Sequence, residues 1–369
     1  HIKRAKRLVI KVGSAVVANT EGASTIFERL AVELRLLKDS GIEAVVVSSG
    51  AIALGMSRLG LAARPASIPE RQAVAAVGQG SLMSNYDAAF GRNGQVAAQV
   101  LLTHDDLADR QRFLNARNTL TTLLRLSIVP VINENDTVAT EELKFGDNDA
   151  LSALVTNLVE ADLLVILTDI DGLYDKDPKK DASATKLRLV EDVDSLKLDS
   201  ASAAAGRLGT GGIVTKVEAA RKAAHYGVPT VIANGLTGGI VSKIMACEDV
   251  GTLFLSKAKE DRLTSRKHWI AFSTRPVGKV FVDDGARDAL LHKGKSLLPS
   301  GIKDVEGQFE AGDVVLCVDM RGTEFARGVV NYSSQEIRRI KGIKTGEVEA
   351  VLGYKVFDEV IHRDNLVVV

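Results

Sequence analysis

Arg7-Leu8-Val9-Ile10-Lys11-Val12-Gly13-Ser14 and, further on, Ile42-Glu43-Ala44-Val45-Val46-Val47-Ser48-Ser49-Gly50 decide how this chain folds. Each is a short run of β-branched and aliphatic residues that ends in small polar residues and glycine. Between them Phe27, Leu30, Ala31, Leu34 and Leu37 recur at the spacing of one helix face, and Ser40-Gly41 stop that helix. Apolar strand, amphipathic helix, apolar strand is a βαβ unit, whose strands are buried on both faces of a parallel sheet. Four more runs extend the pattern: Gln95–Thr103, Ile128–Glu134, Asp162–Asp169 and Val228–Asn234. Helical periodicity fills most of the gaps, which predicts an α/β domain around a mainly parallel sheet.

After about Arg275 the texture changes to short strand-like runs, Lys279–Val282, Val314–Val318 and Phe325–Val330 among them, punctuated by Gly and Asp. The predicted division is a first domain over 1–262, a join over 263–275 and a small, mostly β domain over 276–369. Trp269, Ile270 and Phe272 make the join a packed connection by composition. A chain of 369 residues exceeds what one ordinary core serves, which agrees with two domains.

Apolar residues make up 46% of the chain and charged residues 25%, the balance of a globular enzyme. Lys plus Arg equals Asp plus Glu at 47 each, so no global field recruits nucleic acid or an anionic membrane. Cys247 and Cys317 have no disulfide or metal-ligand spacing, and no apolar run approaches a membrane span. A cytoplasmic protein without a metal site of its own is the expectation.

Ligands of an open parallel sheet bind at the carboxyl ends of its strands. Those ends carry Lys11-Val12-Gly13-Ser14, Ser48-Ser49-Gly50-Ala51, Asn133-Glu134-Asn135-Asp136 and Thr168-Asp169. Two further loops precede helices: Gly146-Asp147-Asn148-Asp149, and Gly209-Thr210-Gly211-Gly212-Ile213-Val214-Thr215-Lys216. The glycines suit a backbone cradle for phosphate, although neither a P-loop nor a dinucleotide fingerprint is present. No histidine falls in this rim, so no general base stands out, and the expected nucleophile is one already ionised at pH 7: a carboxylate. Two anions brought within about 4 Å repel by several kcal/mol at an effective dielectric near 20, so fixed cations are needed. Lys11, at the end of an apolar strand, and Lys216, in the first turn of a helix whose dipole opposes it, are the candidates. Asp149 is placed to hold both, and Asp147 is the better helix cap.

Taken as a set, these loops resemble those of the amino acid kinase family, together with Phe113-Leu114-Asn115-Ala116-Arg117 and Gly172-Leu173-Tyr174. The resemblance covers nearly the whole chain. It implies a three-layer α/β/α sandwich that transfers the γ-phosphoryl of ATP to the γ-carboxylate of L-glutamate, giving γ-glutamyl phosphate for proline synthesis, with Mg²⁺ bridging the phosphates. By position it implies that Lys11, Asp149 and Lys216 are catalytic. Ser49, Gly50, Ala51, Asn133, Asp136, Asp147 and Asn148 would contact glutamate. Lys11, Gly13, Ser14, Thr168, Asp169, Thr210, Gly211, Gly212, Ile213, Val214, Thr215 and Lys216 would contact ATP. A homodimer or homotetramer and feedback by proline are further implications. Kinases of the same fold that act on N-acetylglutamate or aspartate are the alternative, as is an inactive RNA-binding or regulatory protein.

The C-terminal part resembles a PUA domain through Gly278-Lys279-Val280, Ser296-Leu297-Leu298-Pro299-Ser300-Gly301-Ile302, Gly312-Asp313 and Ala326-Arg327-Gly328. Residues 276–369 hold 13 Lys and Arg against 15 Asp and Glu, a formal charge of −2. That sign opposes RNA binding, and assembly or regulation is the expected role.

Overall fold

The strands announced by those apolar runs are present in the computed structural model, which describes residues 2–19, 25–139, 147–176, 181, 183–196, 212–256, 270 and 276–368. Contacts divide the chain into His1–Arg262 and Leu263–Val369. The first unit contains β1 (Arg7–Val12), β2 (Glu43–Ser48), β3 (Ala97–Leu102), β4 (Val129–Glu134), β5 (Leu163–Thr168), β6 (Leu173–Tyr174), β7 (Lys186–Leu187), β8 (Leu189–Val190), β9 (Thr230–Asn234) and β10 (Thr252–Phe254). Its helices are α1 (Ser14–Ala18), α2 (Ile26–Asp39), α3 (Ala51–Leu59), α4 (Ile68–Arg92), α5 (His104–Ala108), α6 (Arg110–Arg125), α7 (Asp147–Leu158), α8 (Ile213–His225) and α9 (Ile240–Met245).

Eight of the described strands form one sheet in the order β3-β4-β2-β1-β5-β9-β10-β8. From β3 to β9 every pairing is parallel; β10 then runs antiparallel to β9 and carries β8 parallel to itself. The six long strands lie where the apolar runs predict them. The last two strands of the sheet, β10 and β8, are only three and two residues long, too short to show a period. Chain order reverses at β1, with β2 on one side and β5 on the other, which is where an open α/β sheet leaves its ligand crevice.

Alternation along the strands assigns the two layers. Leu8, Ile10 and Val12 of β1, with Val46, Val131, Leu163, Val165 and Leu167, pack against Phe27, Leu30 and Leu34 of α2 and Leu82, Tyr86 and Phe90 of α4. The opposite face of β1 therefore carries Val9 and Lys11, and Lys11 meets α7 there. The register sets the tips of the central strands level: Val12 lies beside Ser48 on one side and Leu167 on the other.

Helix α4 starts with a capping box, the Glu70 amide donating to Ser67 Oγ (3.3 Å) and the Ser67 amide to Glu70 Oε2 (3.2 Å). It crosses α3 at glycines. A Cβ on Gly78 would stand 1.8 Å from the Ala51 carbonyl oxygen, and one on Gly55 2.0 Å from that of Val74.

In the second unit β11 (Gly278–Val282), β12 (Ile302–Gly307), β13 (Val314–Val318), β14 (Glu324–Val329) and β15 (Leu366–Val368) form a sheet in the order β12-β11-β13-β14-β15. The β11–β13 pair is parallel and the other pairs antiparallel. With α10 (Asp284–His292), α11 (Ser334–Ile340) and α12 (Val348–Leu352) it encloses its own core, in which Val280, Val315, Cys317, Tyr332 and Ile337 are buried. Of the segment 263–275 only Ile270 is described, and it is buried. No helix among the described residues is long and apolar enough to cross a membrane.

Candidate active site

At the carboxyl end of β1 an apolar strand delivers one charge, Lys11, to the face covered by α7. Its Nζ lies 2.6 Å from Asp149 Oδ1. The other carboxylate oxygen of Asp149 takes Lys216 Nζ at 3.3 Å and a hydrogen bond from Thr215 Oγ1 at 2.7 Å. All three charged side chains are buried, Asp149 completely. Two ammonium groups on one carboxylate leave a surplus positive charge beneath the strand tips.

This arrangement stands only because its parts compensate one another. Burial pushes the Asp149 carboxyl up, but the charges of Lys11 and Lys216 and hydrogen bonds from Lys11 and Thr215 outweigh it and hold the group below the usual carboxylate range. Burial pulls the Lys216 ammonium down and Lys11 adds to that, while Asp149 and Asp169 oppose them. An uncompensated charge here would cost several kcal/mol. Lys216 sits in the first turn of α8, where the helix dipole also disfavours a cation, and Asp149 supplies the offsetting charge.

Around the triad the loops form a polar rim. The Gly13 amide donates to the Leu167 carbonyl (2.9 Å), and that of Ser49 to the Val12 carbonyl (3.0 Å), which locks neighbouring tips together. Gly50 has φ +108°, open to glycine, and a Cβ there would lie 2.5 Å from Val17 Cγ1. It hands the chain to Ala51 at the start of α3. Beneath it Tyr86 donates to Ser48 Oγ at 2.9 Å. On the β5 side Thr168 Oγ1 donates to Asp169 Oδ1 at 3.0 Å. Gly212 precedes α8, its carbonyl accepting from the Thr215 amide (3.1 Å), with open space where a side chain would stand. Ser14, Ile213 and Val214 are half-buried at the starts of α1 and α8.

The tip of β4 makes the other wall. Asn133 Oδ1 accepts from Asn148 Nδ2 (2.9 Å), and Asn133 Nδ2 donates to Gln79 Oε1 (2.7 Å). Asp136 is half-buried, and burial pushes its carboxyl up to about 6 against the pull of Arg64. Thr210 and Gly211, and the side chain of Asp147, lie outside the described residues. The motif Phe113–Arg117 falls within α6, where Phe113 is buried and Arg117 pairs with Glu160.

Four participants escape sequence reasoning: Gln79, Arg64, Tyr86 and the glycine pair at the α3–α4 crossing. A signal for the first existed, since Gly78-Gln79-Gly80 interrupts a helix of 25 residues with two glycines that each cost about 1 kcal/mol there. Thr215, expected on the nucleotide, is also tied to Asp149. A groove of about 540 Å³ lined by Lys3, Arg4, Pro229 and Asp249 lies toward the amino ends of β1 and β9 and holds none of these residues.

Residues 6–234 match the model of the amino acid kinase family and 278–352 that of the PUA domain. Glutamate 5-kinase of Geobacter metallireducens is 55% identical over 369 residues, covering all of this chain and 98% of the relative. Glutamate 5-kinase of Syntrophotalea carbinolica is 51% identical over 100% of this chain and 98% of its own. Glutamate 5-kinase of Caldanaerobacter subterraneus subsp. tengcongensis is 50% identical over 98% and 97%. The chain belongs to the amino acid kinase family and carries a PUA domain C-terminal to its kinase domain.

Proposed function

We propose that this enzyme transfers the γ-phosphoryl group of ATP to the γ-carboxylate of L-glutamate, the first step of proline biosynthesis. The observation that carries the reading is the buried Lys11–Asp149–Lys216 triad, in a chain alike from end to end to glutamate 5-kinases. A carboxylate is ionised at neutral pH, so the enzyme supplies no base. One γ-carboxylate oxygen attacks the γ-phosphorus in line, the bond to the β,γ-bridging oxygen breaks, and its electrons leave with ADP. Lys11 and Lys216 offset the charge that gathers on the transferring group. Asp149, held ionised, keeps both in place so that nothing must reorganise during reaction.

Gly13, Ser14 and residues 210–216 cradle the phosphates, with Thr168 and Asp169 on the nucleotide side. Ser49, Gly50 and Ala51 offer donors to the α-carboxylate of glutamate, and Asn133, Asp136, Asp147 and Asn148 surround its ammonium. Among the described residues no three carboxylate, His or Cys side chains cluster to hold a metal. Magnesium bound to the phosphates of ATP enters with the nucleotide as part of the substrate. Residues 1–262 form the kinase domain and 276–369 the PUA domain, joined through 263–275, and the PUA domain serves assembly or regulation.

The test is ATP consumption with hydroxylamine present to trap acyl phosphate, screened over glutamate, aspartate and N-acetylglutamate. Hydroxamate forms with glutamate alone if the reading is right. Equal product from N-acetylglutamate refutes it.

A further inference from the structure

Three amides link the middle of α4 to the tip of β4 and the start of α7, and the direction of their hydrogen bonds is decided by a single backbone group. The Glu134 N–H can only donate, and it donates to Asn133 Oδ1 at 2.9 Å. Asn133 must therefore present its oxygen on that side, where it also accepts from Asn148 Nδ2 at 2.9 Å. Its own Nδ2 then points to α4, where Gln79 Oε1 receives it at 2.7 Å. With Nδ2 of Asn148 committed to Asn133, its Oδ1 is turned the other way. That oxygen is buried and carries no hydrogen bond among the described residues. A buried acceptor left unsatisfied costs about 1–3 kcal/mol, so a ligand that brings a donor is favoured there.

We propose that Gln79 is a positioning residue that holds this relay in the orientation the Glu134 amide dictates, so that Asn148 turns its carbonyl oxygen to the α-ammonium of the amino-acid substrate. The inference rests on the reading of glutamate as substrate and adds the reason why an amino acid is chosen over a plain dicarboxylate. Gln79 is not needed for phosphoryl transfer, because it touches neither Lys11, Asp149 nor Lys216. Without its acceptor, Asn133 Nδ2 loses its partner and the relay loses its anchor on α4. Asn133, now held by the Glu134 amide alone, shifts toward another acceptor for its Nδ2, and Asn148 loses the fixed partner that keeps its Oδ1 turned to the ammonium.

Gln79→Leu and Gln79→Glu test this in the full-length enzyme, with glutarate as probe. Glutarate has both carboxylates of glutamate and lacks the ammonium, and it is titrated as a competitor so that a Ki stands beside the KM for glutamate. In the wild type the ratio of Ki to KM should exceed unity by at least tenfold, the worth of one charged hydrogen bond. Gln79→Leu should lower that ratio about tenfold by raising the KM for glutamate, with the Ki of glutarate, the KM for ATP and kcat each within about threefold. Gln79→Glu, whose carboxylate still accepts from Asn133, should keep the ratio within about threefold of the wild type. In an Asn148→Ala background Gln79→Leu should change the ratio no further. If leucine disturbs α4, Gln79→Met removes the same acceptor on a flexible chain of like length.

The relay is overturned if Gln79→Leu weakens glutamate and glutarate alike, leaves the ratio unchanged, or is matched in its loss by Gln79→Glu. A wild-type enzyme that forms no hydroxamate from glutamate refutes the substrate and the relay together. A wild type active on glutamate with an unaltered ratio in the variant refutes the relay alone.

Discussion

One carboxylate between two ammonium groups is the smallest unit of this enzyme, and its removal by halves has different consequences. Lys216→Ala leaves Asp149 paired with Lys11 at 2.6 Å, so the protein should stay folded while kcat falls about 10²–10³-fold, as for loss of one donor aimed at developing charge. Hydroxamate formation and a thermal melt measure the two. At Asp136 the expected effect is one of pH. Burial pushes its carboxyl up to about 6, and only the ionised form attracts an ammonium. The kcat/KM for glutamate should be flat above about pH 7, half its plateau near pH 6, and fall about tenfold per unit well below that. Asp136→Asn should give a low value without that acid limb. Both lysines were legible in the sequence because each sits where a charge is expensive. Asp136 was legible by its place at a strand tip, whereas Gln79 and Arg64 were not, because a polar residue on a helix or in a loop is ordinarily solvated.

Elements were legible in proportion to their burial. The central strands β1, β2, β4, β5 and β9 are covered on both faces and so read as apolar runs, and α2 shows its buried stripe openly. Helix α4 hides its logic, since its contact with α3 is made by the absence of side chains. This yields a paired expectation for two glycines in one helix. A Cβ on Gly78 would meet the Ala51 backbone at 1.8 Å, so Gly78→Ala should destabilise by about 1–3 kcal/mol or more and raise the KM for glutamate by displacing Ala51 and Gln79. Gly80 has open space at that position, and Gly80→Ala should stabilise by about 0.5–1 kcal/mol through helix propensity alone. Chemical denaturation of the two variants decides, and the opposite signs keep a general effect of glycine removal from explaining both. The short strands β8 and β10 stayed illegible because pairing, rather than local pattern, makes strands of two and three residues.

At the scale of the molecule, each unit holds its own apolar core. The net charge of −2 over residues 276–369 carries an expectation of its own. Structured RNA at physiological salt should give no electrophoretic shift with the full-length protein, and a shift that survives excess non-specific RNA would reverse the assignment of this domain.

Lys11, Asp149 and Lys216 come from three distant parts of the chain, Asp149 and Lys216 alone being 67 residues apart, and only the parallel packing of β1, β5 and their helices brings them together. Contacts so remote along the chain form slowly, since each closes a long loop before it is rewarded. Catalysis is thus a reporter of topology. After dilution from denaturant, helical circular dichroism should return in an early phase and turnover only with the last one, so a half-assembled chain hydrolyses no nucleotide while it waits.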